Sequence, residues 1–128
     1  VMMAHVVYPE VDDRPAGYSR RWIGEVLRGE LGFKGVVFSD DISMAAAGEA
    51  GDVAARVGAH LDAGCDLVLA CFPEVVPAAI AAVADRVCLS AERLAPLRGA
   101  VASTWAGLLD NPQRQRFIAR VTALESLS

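Results

Sequence analysis

The segment Gly35–Met44, which reads GVVFSDDISM, decides the fold of this chain. Its apolar run, Val36–Phe38, is too short for a helix and consists of β-branched and aromatic residues. A turn-forming glycine precedes the run, and two adjacent acidic residues, Asp40 and Asp41, follow it. A short continuous apolar run is typical of a strand in a parallel sheet, where both faces are covered. The segment therefore predicts a buried parallel strand that ends in two carboxylates.

Asp40 lies at the end of this predicted strand, where ligands bind in α/β proteins. In parallel open sheets and in barrels, the ligand crevice is at the carboxyl ends of the strands. The position makes Asp40 a candidate catalytic residue. The alternative is that Asp40 or Asp41 only caps the following helix, because Asp is a common N-cap residue.

Segments with strand and helix patterns alternate on both sides of this strand. Short apolar runs predict two further strands, at Val1–Val7 and Asp66–Cys71. Helices are predicted from a Ser19 cap and from Asp52 to Gly64. Their core-facing residues are expected to be Trp22, Ile23, Val26, Leu27 and Leu31 in the first helix, and Val53, Val57 and Leu61 in the second. Further helical patterns cover about 75–85, from the possible cap Ser90 to about Leu109 with a break near Pro96 and Gly99, and about 113–124.

This alternation indicates βαβ units and a parallel sheet, and hence an α/β fold. Three strands alone would leave two unpaired sheet edges, whereas a complete (β/α)8 TIM barrel needs roughly 250 residues. We therefore expect the chain to be the C-terminal portion of a single TIM-barrel domain. About three βα units would fill residues 1–89 and terminal helices residues 90–128, and the apolar start without an initiator methionine resembles a cut. A free-standing three-stranded α/β domain is the alternative.

Composition excludes several function classes. The 128 residues are 54% hydrophobic with a net charge of −4, which is typical of a folded domain and argues against a nucleic-acid partner. No apolar run is long enough to span a membrane. Arg20, Arg21 and Arg28 have helical spacing and are interpreted as a solvated helix face. The three cysteines, Cys65, Cys71 and Cys88, match no metal site and are expected to be reduced, buried thiols of a cytosolic protein.

Three motifs in order resemble the family-three glycoside hydrolases. They are MMAHVVYPEVD at 2–12, PAGYSRRWIGEVLRGELGFKGVVFSDDISM at 15–44 and AGCDLVLAC at 63–71. Within that family the motif sequences are most similar to those of the bacterial β-N-acetylhexosaminidases of the NagZ type. The resemblance implies a TIM barrel that removes terminal non-reducing N-acetylglucosamine (GlcNAc) by a retaining mechanism. It also implies a small carbohydrate substrate, GlcNAc linked to anhydro-N-acetylmuramyl peptides of the cell wall, and a cytoplasmic location.

The resemblance places the catalytic nucleophile on Asp40, and Asp41 is expected to have a supporting role. No metal or organic cofactor is implied. His5 is a candidate for lining the sugar pocket or is a satisfied strand-end histidine, and Met44 either walls the pocket or packs. His60 is expected on the barrel exterior as a surface residue.

The family's acid/base histidine and sugar-binding Lys-His pair belong to a segment upstream of these motifs and are not matched here. We therefore expect the 128-residue chain to be inactive alone. Phe72-Pro73 stands where the family more often has a polar residue. Two alternatives remain: a non-catalytic α/β binding or interaction module, and a family-three glycosidase of another sugar specificity.

Overall fold

A three-stranded parallel sheet forms the centre of the first of two compact units, Val1–Leu97 and Arg98–Ser128. The structure, a computed structural model, describes residues 1–86, 89–99 and 103–125. Its strands are β1 (Met2–Met3), β2 (Val7–Tyr8), β3 (Asp12–Pro15), β4 (Phe38–Asp41) and β5 (Leu67–Leu69). The sheet order is β1-β4-β5, so the strand that carries the two carboxylates lies in the middle. Met2 pairs with Phe38, and Phe38 pairs with Leu67. The prediction of an α/β fold with a parallel sheet is confirmed for the described residues.

The strand expected at Val1–Val7 is shorter, because the chain turns after β1. Backbone carbonyls of Ala4 and Val6 accept hydrogen bonds from the N–H groups of Gly17 and Ala16, at 3.2 and 2.8 Å. These bonds pull the chain out of the parallel sheet. It then forms an antiparallel hairpin of β2 and β3, which was not predicted.

Helices connect the strands in the predicted order. The described helices are a 3₁₀ turn at Ala16–Tyr18, a π-helix at Arg21–Glu30, a 3₁₀ helix at Ala45–Ala50, α1 (Val53–Ala63), α2 (Val76–Ala82), α3 (Ala91–Leu94), a 3₁₀ turn at Ala95–Arg98, α4 (Trp105–Leu109) and α5 (Pro112–Glu125). None of the helices among the described residues has both the length and the apolar character that a membrane span requires.

The local signals at helix ends were read correctly. Asp52 caps α1 by accepting the Ala55 N–H at 2.8 Å, and Gly64 ends it with a φ of 114°. The Ser19 hydroxyl accepts the Trp22 N–H at 3.0 Å in the first turn before the π-helix. Ser90 caps α3, and the expected long helix is split beyond it.

The core lies between the π-helix, α1 and the sheet. Its buried members are Met3, Ala16, Ile23, Val37, Ala63 and Cys65, with Trp22, Leu27 and Phe33 packed against them. Leu31, expected on the same helix face, is exposed instead. The Leu31 N–H bonds to the Val26 carbonyl, five residues back, and this wider turn takes Leu31 out of the 3.6-residue period.

The carboxylate of Asp66, just before β5, binds three donors at the amino-terminal end of the sheet. It accepts the Val37 N–H at 2.8 Å and pairs with Arg28 at 2.8 Å and Arg93 at 3.2 Å. Arg28 is therefore part of a half-buried ion-pair network, and its assignment to a solvated face is wrong. The pattern of the π-helix could not show this, because Asp66 is 38 residues away along the chain.

We expect Asp66→Ala to lower the free energy of unfolding by about 2–4 kcal/mol, because it leaves the buried Val37 N–H without an acceptor and removes the carboxylate that pairs with two arginines. Asp62→Ala is the matched control, since Asp62 also pairs with an arginine, Arg86, but at an exposed site. That variant should lose less than about 1 kcal/mol. Urea unfolding of the two variants measures the difference, and equal losses would contradict the network.

Candidate active site

Asp40 lies at the carboxyl end of the central strand, held there by its neighbours. The buried Ser39 hydroxyl accepts the Leu69 N–H at 2.9 Å and donates to the Asp40 carbonyl at 2.6 Å, which fastens β5 to β4 beside the carboxylate. One oxygen of Asp40, Oδ1, accepts the Asp41 N–H at 2.9 Å. The other oxygen has no hydrogen-bond donor among the residues that the structure describes. Asp40 therefore offers one oriented and accessible carboxylate oxygen at the end of the sheet.

Asp41 uses its side chain to join the ends of two strands. Its Oδ1 accepts the backbone N–H groups of Ser43 and Cys71, both at 3.0 Å. Burial raises the pKa of Asp41, but the two N–H donors outweigh it and bring the pKa below its ordinary 3.8. Asp41 is therefore an ionised acceptor for the backbone near neutral pH, and its carboxyl group is poorly suited to giving up a proton.

His5 and Met44 both contact the backbone of Asp41. The Asp41 carbonyl accepts the Met44 N–H at 3.1 Å and lies 3.2 Å from Nε2 of His5. The His5 ring is half-buried and stands beside two other rings, those of Tyr18 and His60, with centroids 5.8 and 5.2 Å away. Met44 has an exposed side chain just before the 3₁₀ helix. The structure thus places all four residues that the sequence indicated, His5, Asp40, Asp41 and Met44, around one strand end.

His60 is fully buried beside this site, and its assignment to the surface is wrong. It faces inward from α1, one turn after the buried Val57, and its Nδ1 lies 2.9 Å from the Gly17 carbonyl. Burial lowers the pKa of His60 from 6.5 to about 4, so the imidazole is neutral at physiological pH. The spacing from Val57 to His60, three residues along a helix, was the available signal that both share one face.

Tyr18 is a second residue that the sequence did not indicate. Its ring is buried 4.4 Å from that of His60, and its hydroxyl donates to the Ala47 carbonyl at 2.9 Å. Burial raises the pKa of Tyr18, which keeps the hydroxyl protonated as a donor. Through this bond Tyr18 fixes the 3₁₀ helix that follows Met44.

The cysteines lie in two different environments. Cys65 is buried as expected, and burial raises the pKa of its thiol to about 12, so it is an unreactive core residue. Cys71 is exposed, contrary to the expectation, because β5 ends at Leu69 and the chain leaves the sheet. Cys88 lies outside the described residues. Within the described part of the chain, no three His, Cys, Asp or Glu side chains are grouped as metal ligands would be.

Comparison with known proteins gives one consistent family. Residues 1–98 match the Glycosyl hydrolase family 3 N terminal domain. The beta-hexosaminidase of Stenotrophomonas maltophilia (strain R551-3) is 63% identical over 109 residues, which are 85% of this chain and 32% of that protein. The chain thus spans about a third of the length of the curated relatives that it matches.

Solved structures agree with this match. Native NagZ from Neisseria gonorrhoeae is 30% identical, with a TM-score of 0.61 over 97% of this chain and 35% of that protein. The glycoside hydrolase family 3 beta-N-acetylglucosaminidase from Paenibacillus sp. str. FPU-7 is also 30% identical, with a TM-score of 0.64 over 94% of this chain and 27% of that protein. These values extend the similarity from sequence to the fold.

The buried His60 predicts an acid-sensitive fold. Its pKa is about 4 in the folded chain and near 6.5 when unfolded, so the unfolded chain binds an extra proton between these values. The contribution of His60 to the free energy of unfolding is therefore fully present above pH 6.5. It falls as the pH drops toward 4, by roughly 3 kcal/mol in total. Urea unfolding at pH 7 and at pH 5 tests this expectation. His60→Asn, which offers a donor for the Gly17 carbonyl but does not titrate, should lose this part of the pH dependence; an unchanged dependence would refute the assignment.

Proposed function

Because the chain belongs to glycosyl hydrolase family 3, we propose that it is the C-terminal part of the TIM-barrel domain of a retaining β-N-acetylglucosaminidase, with Asp40 as nucleophile. The observation that carries this proposal is the position of Asp40, an oriented carboxylate at the carboxyl end of the central parallel strand. Active sites of TIM-barrel enzymes lie at this end of the strands.

The proposed reaction is a double displacement at the anomeric carbon of GlcNAc. The free oxygen of Asp40 attacks that carbon as the aglycone leaves, which gives a covalent glycosyl-enzyme. Water then attacks the same carbon, releases Asp40 and yields GlcNAc with its β configuration retained. The steps need a nucleophile, an acid/base and water, so no metal or organic cofactor is part of the proposal.

The general acid/base is proposed to come from outside these 128 residues. Asp41 is not suited to the role, because two backbone N–H groups bind its Oδ1 and its lowered pKa keeps it ionised. A general acid needs a proton to donate near the working pH. His60 is fully buried, which removes it from contact with a substrate. The chain alone is therefore proposed to be inactive.

The substrate class follows from the relatives. Their printed names, beta-hexosaminidase and beta-N-acetylglucosaminidase, support a hexosaminide with a terminal GlcNAc. Because the motifs resemble those of the NagZ type, we further propose that the aglycone is an anhydro-N-acetylmuramyl peptide from the cell wall, processed in the cytoplasm. In this proposal His5 and Met44 lie at the edge of the sugar site, where both contact the Asp41 carbonyl.

The adjacent carboxylates provide a matched pair of variants for the natural gene product at full length. Asp40→Asn removes the nucleophile and should lower kcat on an aryl β-GlcNAc by about a thousandfold or more. Asp41→Asn keeps an oxygen that can accept the Ser43 and Cys71 N–H groups, and it should retain activity within about tenfold. Initial rates for both variants test the assignment. A nearly silent Asp40→Asn would instead favour a non-catalytic binding module.

Covalent trapping tests the same proposal by a second route. A fluorinated N-acetylglucosaminyl donor forms the glycosyl-enzyme but releases it slowly. Peptide mapping of the trapped full-length protein should locate the sugar on the peptide that contains Asp40, and Asp40→Asn should abolish the adduct. An adduct on another residue would move the nucleophile elsewhere. A donor with a glucosyl group that reacts faster would favour a different sugar specificity.

A further inference from the structure

A hydrogen bond to the Gly17 carbonyl anchors the buried imidazole of His60. Its Nδ1 lies 2.9 Å from the Gly17 carbonyl, and because a carbonyl only accepts, Nδ1 carries the proton. Nε2 is then an unprotonated nitrogen, and it has no partner among the described residues. The bond to Gly17 therefore orients the ring, whose other contacts are packing contacts with neighbouring side chains.

Neighbouring groups pack closely around the His60 ring. The Tyr18 ring lies 4.4 Å away, and Cys65 Sγ lies 3.9 Å from Nδ1. A Cβ on Gly17 would come within 2.7 Å of Cε1 of His60, so only glycine permits this approach. Burial is complete, with an exposed fraction of 0%. His60 is thus a rigid surface for whatever ring lies against it.

The ring that lies against it is that of His5. The two imidazole centroids are 5.2 Å apart at an angle of 52°. His5 Nε2 faces the Asp41 carbonyl at 3.2 Å, so this nitrogen carries the proton and donates. Nδ1 of His5 is buried without a partner among the described residues, so the bond to Asp41 is the one hydrogen bond that this part of the chain provides to the ring. Its orientation therefore depends on the packing of its neighbours.

Asp41, whose carbonyl contacts His5, also forms a hydrogen bond with the proposed nucleophile. The Asp41 carbonyl accepts from His5, and the Asp41 N–H donates to Oδ1 of Asp40 at 2.9 Å. Tilting the His5 ring would remove one of the two donors to the Asp41 carbonyl, the other being the Met44 N–H, and would loosen the residue whose N–H binds Asp40. A contiguous series of contacts thus runs from His60 through His5 and Asp41 to Asp40.

We propose that His60 is a positioning residue for Asp40, which acts by holding the His5 ring against the Asp41 carbonyl. This inference rests on the proposed function of Asp40. His60 does not touch substrate in this proposal and transfers no proton. Its contribution is to fix the direction of the nucleophile, since displacements of about 1 Å at a reacting group cost up to a hundredfold in rate.

Three substitutions of His60 in the full-length protein separate its ring from its hydrogen bond. His60→Ala removes the ring and should lower kcat on an aryl β-GlcNAc by about tenfold to a hundredfold, with KM within about twofold. His60→Phe restores a ring of similar shape and should recover most of the kcat. His60→Asn offers a donor to Gly17 without the ring and should not recover it; if His60→Ala does not fold, this variant takes its place in the comparison.

Val57→Ala is the control for a merely structural effect. Val57 is as deeply buried as His60 on the same face of α1, one turn earlier. Its truncation should destabilise the protein, as large-to-small core substitutions do, while kcat stays within about twofold of the unsubstituted enzyme. A loss of kcat equal to that of His60→Ala would show that loosening α1 is sufficient, and it would overturn the proposal.

A double-mutant cycle tests whether His60 acts through His5. In a His5→Phe background the contact to the Asp41 carbonyl is already absent, so adding His60→Ala should change kcat by less than about threefold. Nitrogen-15 spectra of labelled histidines give an independent readout, with His5 assigned from the variant that lacks it. We expect the Nε2–H form of His5 in the unsubstituted protein and a mixture of both tautomers in His60→Ala.

Failure of this inference can be told apart from failure of the proposed function. If Asp40→Asn abolishes hydrolysis while the His5 and His60 effects on kcat multiply independently, the positioning role is wrong and the nucleophile stands. An unchanged His5 tautomer in His60→Ala would also overturn the positioning role. If Asp40→Asn is silent, both proposals fail.

Discussion

Two oxygen atoms of Asp41, Oδ1 and the backbone carbonyl, accept the hydrogen bonds that join the segments at the end of the sheet where the candidate site lies. Parallel strands leave backbone N–H groups without partners where they separate, and each such group is costly if it stays unpaired. Asp41 satisfies the N–H groups of Ser43 and Cys71 with one carboxylate oxygen and that of Met44 with its carbonyl. The same carbonyl receives the His5 imidazole, so the segments after β1, β4 and β5 all meet at one residue. The position of Asp40 follows from this arrangement.

The residues that were predicted well are those whose signals are local. Gly35–Met44 predicted the central strand, although β4 begins at Phe38 and the buried residues Val36 and Val37 of the apolar run lie just before it. Asp52 and Gly64 predicted both ends of α1, because a helix cap depends only on a hydrogen bond or a backbone conformation among residues that are close in sequence. The location of Asp40 at a strand end needed only the direction of the chain and the rule for parallel sheets.

The errors at Arg28 and His60 have a different physical origin, because each depends on a partner far along the chain. Arg28 was placed in solvent, but Asp66 pairs with it across 38 positions, and His60 was placed on the surface, but Gly17 bonds to it across 43. A polar residue in a helix is buried when the fold supplies a partner, and the helix pattern does not contain that partner. The β2–β3 hairpin pairs residues that are near in sequence, Val7 with Pro15 and Tyr8 with Asp12, but its second strand is polar and contains a proline, so it shows no apolar alternation.

The pair Asp40-Asp41 shows how two identical side chains in sequence come to have different chemistry. Successive side chains of a strand point to opposite faces, so the two carboxylates cannot share one environment. Asp41 accepts two backbone donors from other segments on its Oδ1, which fix it and lower its pKa, while Asp40 accepts the Asp41 N–H on Oδ1 and its other oxygen has no donor among the described residues. A nucleophile requires an oxygen that can reach the substrate, whereas the end of the strand requires an acceptor for the backbone N–H groups there, which Asp41 Oδ1 provides. The structural role of the second carboxylate is therefore a condition for the reactivity proposed for the first, and the acidic pair is better understood as one unit than as two candidates for the same task.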